Sequence, residues 1–258
     1  MSLLTPTPLS TPTIDDLEYS GIETISVPRR FNGPRHSGNG GYSTGLVAGL
    51  IDGPAEVRLR SPVPLDTALR VERRIEGEVL VKNGETLIAT ARPTLELEIE
   101  VPPAVRFEEA RHAAEHYDGS GYDLLSQCYV CGPDRDDTFA VHTAPVRGRA
   151  VVASTWTPPC WAAGRGGVVH DEHVWAALDC PTYFGAYFAE RKAMAMLAQM
   201  QARVDAPIVA DTEYAVMAWP METEGRKRWA GSAIVSPDGE VLAVAKALLI
   251  ELGPAVAG

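Results

Sequence analysis

The chain has 258 residues, 45% of them hydrophobic, and carries 23 Lys and Arg against 34 Asp and Glu, a formal net charge of −11. That apolar content can fill one large core or two smaller ones of about 100–130 residues each. A mean hydropathy of −0.06, with no long uncharged apolar run, excludes a membrane-spanning helix. The acidic balance argues against a nucleic-acid partner, because phosphate contacts need a basic face. Any anionic ligand would need a local basic patch.

Residues 1–13 are rich in Thr, Pro and Ser and lack the basic and apolar regions of a signal peptide. They predict a flexible tail and a cytoplasmic protein. Residues 14–101 read as a first unit. A short strand is expected over Glu23–Val27. The Gly-rich loop Phe31–Gly41 leads into a helix over Tyr42–Ile51, where Leu46, Val47, Leu50 and Ile51 keep helical spacing. Asp52-Gly53-Pro54 ends it. Strands follow at Val57–Leu59 and Leu69–Ile75, then a hairpin turn at Asn83-Gly84. The stretch Thr86–Ile99 reads as one long strand, with Leu95, Leu97 and Ile99 alternating with Glu96, Glu98 and Glu100. Residues 102–127 form a linker, helical around Phe107–Tyr117. Residues 128–252 read as a second unit, followed by a tail at 253–258. Phe139–Trp156 predicts two strands around Arg147-Gly148. A second helix is expected from about Asp171 to Ala189, bent at Pro181. Strands at Met196–Val204, Tyr214–Trp219, Trp229–Val235 and Val241–Leu252 complete an antiparallel sheet, with Asp238-Gly239 as its hairpin turn.

The four cysteines are Cys128, Cys131, Cys160 and Cys180. A secreted disulfide framework does not suit a chain of this size. Cys128-x-x-Cys131, followed by Gly132-Pro133, admits a zinc half-site that only His142, Cys160 or Cys180 could complete, or a redox pair. The plainer expectation is buried thiols at a strand start. His36, His112, His116 and His142 form no visible metal constellation, and no metal or cofactor is expected.

The two units look like copies of one segment. Asn39-Gly40-Gly41 has Ala48 nine residues after Asn39, and His170-Asp171-Glu172 has Asp179 nine residues after His170. Pro62-x-x-x-Asp66-Thr67 recurs as Pro207-x-x-x-Asp211-Thr212, and Asn83-Gly84-Glu85 recurs as Asp238-Gly239-Glu240. The offsets grow along the chain from 131 to 145 to 155 residues while the order is kept. Each copy retains the half of a catalytic pair that the other has lost. Nine residues along a helix are about 2.5 turns and 13 Å of rise, so one helix cannot bring its own first amides and such a carboxylate to one atom. The carboxylate must serve a partner helix. Gly40/Gly41 with Asp179 would then form one live site, and Asp171/Glu172 with Ala48 a dead one.

On these residues the chain resembles the hotdog-fold thioesterases in a fused double form. The resemblance is nearest to the phenylacetate-pathway and 4-hydroxybenzoyl-CoA types, whose pattern is His-Gly-Gly at a helix start with Asp or Glu nine residues later. It spans roughly residues 20–252. Here the glycines stand in one copy, and the histidine and carboxylate in the other. The resemblance implies an α+β tandem double hotdog, two central helices each wrapped by an antiparallel sheet, and a homo-oligomer is compatible with it. It also implies hydrolysis of an acyl-CoA or acyl-carrier thioester. Amides of Gly40 and Gly41 at a helix N-terminus would hold the developing oxyanion, and Asp179 would act as nucleophile or as base for water. Asn39, Asn32 and Tyr183 are the candidate positioning residues. Arg226 and Arg228 are candidate phosphate contacts, although Arg226-Lys227-Arg228 also reads as a plain solvated hairpin. The competing readings are a hotdog that binds an acyl thioester or other apolar ligand without turnover, and an enoyl-CoA hydratase type, for which no Asp and His pair stands in one short motif.

Overall fold

A computed structural model describes residues 23–117, 124–188 and 194–252. The terminal tails expected at 1–13 and 253–258 lie outside the described residues, as does Ala189 at the expected end of the second helix.

Eleven strands form one sheet among the described residues. They are β1 (Thr24–Ile25), β2 (Ala55–Leu59), β3 (Leu69–Arg73), β4 (Val79–Asn83), β5 (Thr86–Pro93), β6 (Ala144–Pro145), β7 (Val152–Trp156), β8 (Ala195–Val204), β9 (Tyr214–Glu224), β10 (Lys227–Val235) and β11 (Val241–Glu251). Among the described residues three α-helices accompany them: α1 (Gly40–Ala48), α2 (Phe107–Ala114) and α3 (Asp171–Ala186). The strand order is β1-β3-β4-β5-β2-β8-β11-β10-β9-β7-β6, and the strand pairs are antiparallel. The first five strands repeat in the second half: β7, β9, β10, β11 and β8 take the places of β1, β3, β4, β5 and β2. The halves meet edge to edge where β2 pairs with β8, with Glu56 opposite Gln201, Val57 opposite Met200 and Arg58 opposite Gln199. Each half-sheet curls around its own helix, which makes the fold an α+β tandem double hotdog.

The duplication extends to single backbone bonds. Asn39 N–H donates to the Phe31 carbonyl at 2.9 Å, and His170 N–H donates to the Ala162 carbonyl at 3.0 Å. Gly38 N–H meets the Val63 carbonyl, and Val169 N–H meets the Ile208 carbonyl. Asp66 and Asp211 both adopt positive φ, 51° and 58°. That region is open to Asp more than to most residues, and this is why the turn kept Asp in both copies.

Both central helices are buried nearly all round, so their sequences are small or apolar without a single stripe. They run antiparallel in close contact. A Cβ on Gly41 would lie 2.5 Å from Asp179 Cβ, 2.6 Å from the Trp175 carbonyl oxygen and 2.7 Å from Ala176 Cα. A Cβ on Gly45 would lie 2.7 Å from Glu172 Cα. The Gly41-x-x-x-Gly45 spacing lets one helix lie on the other with no side chain between.

Three sequence expectations shift. Helix α1 begins two residues earlier than Tyr42 and ends at Ala48, leaving Leu50 and Ile51 in the turn beyond it. The first strand shortens to Thr24–Ile25. The long strand expected over Thr86–Ile99 stops at Pro93, which lacks a ladder donor. From there the chain leaves the sheet, and its carbonyls are met by side chains of β8: Gln201 donates to Leu95, and Arg203 to Leu97. Leu97 and Val105 pack with α2 on the outer face of the second half-sheet. The period of Leu95, Leu97 and Ile99 reflects this covering role, with Leu95 left exposed.

Candidate active site between the two helices

A helix start leaves backbone donors without intrahelical partners. At α1 they are met by groups from both copies. Asn39 is the N-cap, and its Oδ1 accepts from Tyr42 N–H at 2.9 Å. Gly41 N–H donates to Asp179 Oδ2 at 2.7 Å. Asp179 belongs to α3, so this bond joins the first amides of one copy to the carboxylate of the other. Gly40 sits beside it, and a Cβ there would lie 3.1 Å from the same carboxylate oxygen.

A cavity of about 490 Å³ opens at this point, in the size range of small-molecule sites. Asn39, Gly40, Asp179 and Tyr183 line it, and Leu59, Val63, Leu197 and Leu249 make much of its apolar wall. Gly41 is not on the wall, and its amide is engaged by the Asp179 carboxylate. Asp179 is only 8% exposed. Burial pushes its carboxyl up to about 7; the Gly41 N–H, which favours the anion, opposes that, and nearby Cys128 adds to it. Tyr183 lies on the wall about one helical turn after Asp179, and burial pushes its hydroxyl up to about 12.

The other expected binding residues fall elsewhere. Asn32 is buried and works as a bracket for the loop before α1. Its Nδ2 donates to the Gly33 and Gln127 carbonyls at 3.0 and 2.9 Å, and its Oδ1 accepts from Arg135 at 2.7 Å. Gly33 and Pro34, not Asn32, reach the cavity wall. Arg228 pairs with Glu251 at 2.8 Å and stacks over Tyr187. Arg226 is exposed and reaches the Glu251 carbonyl at 3.4 Å. Neither arginine lines the cavity. Arg60 does, and its side chain makes no ion pair among the described residues. No sequence signal marked Arg60, which directly follows β2, the strand that meets the second half.

Three cysteines also line the cavity: Cys128, Cys131 and Cys180. Asn39 Nδ2 donates to the Cys128 and Cys180 sulfurs at 3.6 and 3.7 Å. The neighbouring thiols of Cys131 and then Cys180 hold Cys128 well below the ordinary thiol range, against the opposing effect of burial.

The opposite end of the helix pair differs. Ala48, Asp171 and Glu172 do not line the cavity. Between the first turns of α1 and α3, Phe31, Tyr42, Tyr129, Phe139, Trp161 and His173 pack ring against ring, with centroids 4.5–6.2 Å apart.

No protein-family model matches the sequence, and no curated protein matches it. Solved structures do. The TesB protein of Mycobacterium avium subsp. paratuberculosis superposes with a TM-score of 0.59 at 13% identity, over 93% of this chain and 99% of that one. A conserved protein of unknown function with hot dog fold from Alicyclobacillus acidocaldarius gives 0.54 at 13% identity, over 90% of this chain and 93% of that one. A thioesterase superfamily protein shares 22% identity at a TM-score of 0.42, over 47% of this chain and 61% of that one, so the match spans about three fifths of its length. At these identities the likeness to the first two is one of fold, the hotdog fold over nearly the whole chain.

Proposed function

We propose that the protein hydrolyses an acyl-CoA or acyl-carrier thioester at a single composite site between its two hotdog units. The observation that carries this reading is the 2.7 Å bond between Asp179 and Gly41, made across the two copies beside a cavity. It sets a carboxylate from one copy next to the helix start of the other. The backbone of Gly40 faces the bound thioester carbonyl, where the dipole and N–H groups of a helix start favour an oxyanion. Asp179 either takes a proton from water, whose oxygen attacks the carbonyl carbon, or attacks that carbon itself to give an anhydride that water opens. On both routes the carbon–sulfur bond breaks, the thiolate leaves and takes up a proton, and the products are a free acid and a thiol. The apolar wall suits the acyl chain, and Arg60 replaces Arg226 and Arg228 as the cation for the anionic carrier end.

A second reading, binding of an acyl thioester without turnover, takes support from the same bond. Gly41 N–H is engaged by Asp179, which leaves fewer backbone donors for an oxyanion. A screen of thiol release across short, long and aromatic acyl-CoAs separates the two. Hydrolysis predicts saturable thiol release from at least one class. Binding of a non-hydrolysable thioether analogue with no release from any substrate supports the second reading instead.

A further inference from the structure

The three cysteines on the cavity wall come from two places in the chain. Cys128 and Cys131 stand on a tight turn ahead of Gly132, and Cys180 follows Asp179 on α3. Their sulfurs all lie within 4.8 Å of one another, and no further His, Cys, Asp or Glu among the described residues joins them. Cys128 and Cys180 sulfurs are 3.8 Å apart. A disulfide needs about 2.05 Å, so these are not bonded. A tetrahedral zinc ion with Zn–S bonds of about 2.3 Å sets its sulfurs about 3.8 Å apart.

The turn is shaped for such a role. Gly132 N–H donates to the Cys128 carbonyl at 2.8 Å. A Cβ at position 132 would lie 2.5 Å from that oxygen and 2.6 Å from Cys128 N, so the turn requires glycine. Asn39 Nδ2 donates to two of the three sulfurs. That amide meets the sulfurs as a donor. A neutral thiol is a weak acceptor, whereas a thiolate is a strong one. Three thiolates this close need a cation between them, and donors around the sulfurs are what orients and tunes a metal–thiolate site.

We propose that Cys128, Cys131 and Cys180 bind one thiophilic divalent metal ion, Zn²⁺ in preference to harder cations, with its fourth coordination position open to the cavity. Three protein ligands and one open position distinguish such a centre from a closed structural site. Binding releases the thiol protons to solvent, up to three per ion, and the three thiolates with Zn²⁺ leave one net negative charge facing the N–H donors. The proposal is independent of hydrolysis, since it needs neither Asp179 nor turnover.

The test is metal retention by the full-length chain. Wild type, Cys131→Ser, Cys180→Ser and Cys160→Ser are purified reduced, loaded with Zn²⁺, desalted and analysed for zinc by mass spectrometry. Cys160 is exposed and bonded to Asp211, away from the cluster, so its variant is the control. Wild type and Cys160→Ser should retain one zinc per chain. Loss of one of three ligands should reduce retention at least about tenfold in the other two variants. Wild type that retains no zinc, or Cys180→Ser that retains as much as wild type, overturns the proposal. Should the cysteine variants fail to fold, titration of wild type with Co²⁺ decides. Thiolate-to-cobalt charge-transfer absorption saturating at one equivalent supports the site, and its absence refutes it.

Discussion

Asp179 and His173 share helix α3 and are both buried, yet their surroundings differ. Asp179 keeps one oxygen on an amide at a cavity wall. His173 is closed in by aromatic rings and is 4% exposed, with its Nδ1 unpartnered. Burial, then the charges of His170 and Arg30, holds its pKa down at about 4 against an ordinary 6.5. Between those values the unfolded chain binds a proton at this histidine and the folded chain does not. Stability therefore rises with pH through that window, is complete above about 6.5, and falls as pH drops toward 4. At about 1.4 kcal/mol per pH unit, the full window is worth on the order of 3 kcal/mol. Denaturant melts of wild type and His173→Phe at pH 7 and pH 5 check this. The wild type should lose more stability on acidification than the variant does; equal losses would remove His173 as the cause.

The two central helices depend on residues without side chains. Alanine at Gly41 would drive its Cβ into the backbone of α3 at 2.6–2.7 Å, so the helices must separate. The expected cost is about 1–3 kcal/mol, the usual size of overpacking. Alanine at Gly49, the α1 C-cap with φ −61°, meets nothing nearer than 3.6 Å and should leave stability unchanged or raise it by about 0.4–1 kcal/mol. Urea unfolding of the two variants measures the contrast, and equal stabilities would contradict the close packing. Much of this element arrangement was legible in the sequence, for a physical reason. Turns such as Asp66 and Asp211, or Asn83-Gly84 and Asp238-Gly239, constrain the backbone, so both copies kept their residue types. The segment after Pro93 departs from the expected strand because alternation records which side chains are buried, not whether the backbone has a strand partner. Arg60 and the grouping of Cys180 with Cys128 and Cys131 depend on how the halves meet, which no local pattern records. For the cysteines the sequence could only narrow the completing residue to His142, Cys160 or Cys180.

At the scale of the whole molecule, the duplicated sheet makes a nearly symmetric shell with unlike ends. One end has a cavity, the carboxylate and the glycine-lined helix start. The other has two acids, Asp171 and Glu172, at the helix start. That asymmetry predicts one ligand per chain, measured by calorimetry with a non-hydrolysable acyl-CoA thioether; two equivalent sites per chain would contradict it. In the proposed mechanism a carboxylate from one copy works on a carbonyl held at the helix start of the other. That mechanism is tested most directly by thiol-release rates of Asp179→Asn and Asp171→Asn against wild type, on a substrate that wild type cleaves. Asparagine at 179 keeps an oxygen for the Gly41 amide while removing the base or nucleophile. Its turnover should fall by about 10²-fold or more, the usual scale of lost general acid–base work, with analogue affinity little changed. Asp171→Asn should keep near wild-type turnover. Equal turnover in Asp179→Asn and wild type would contradict the account.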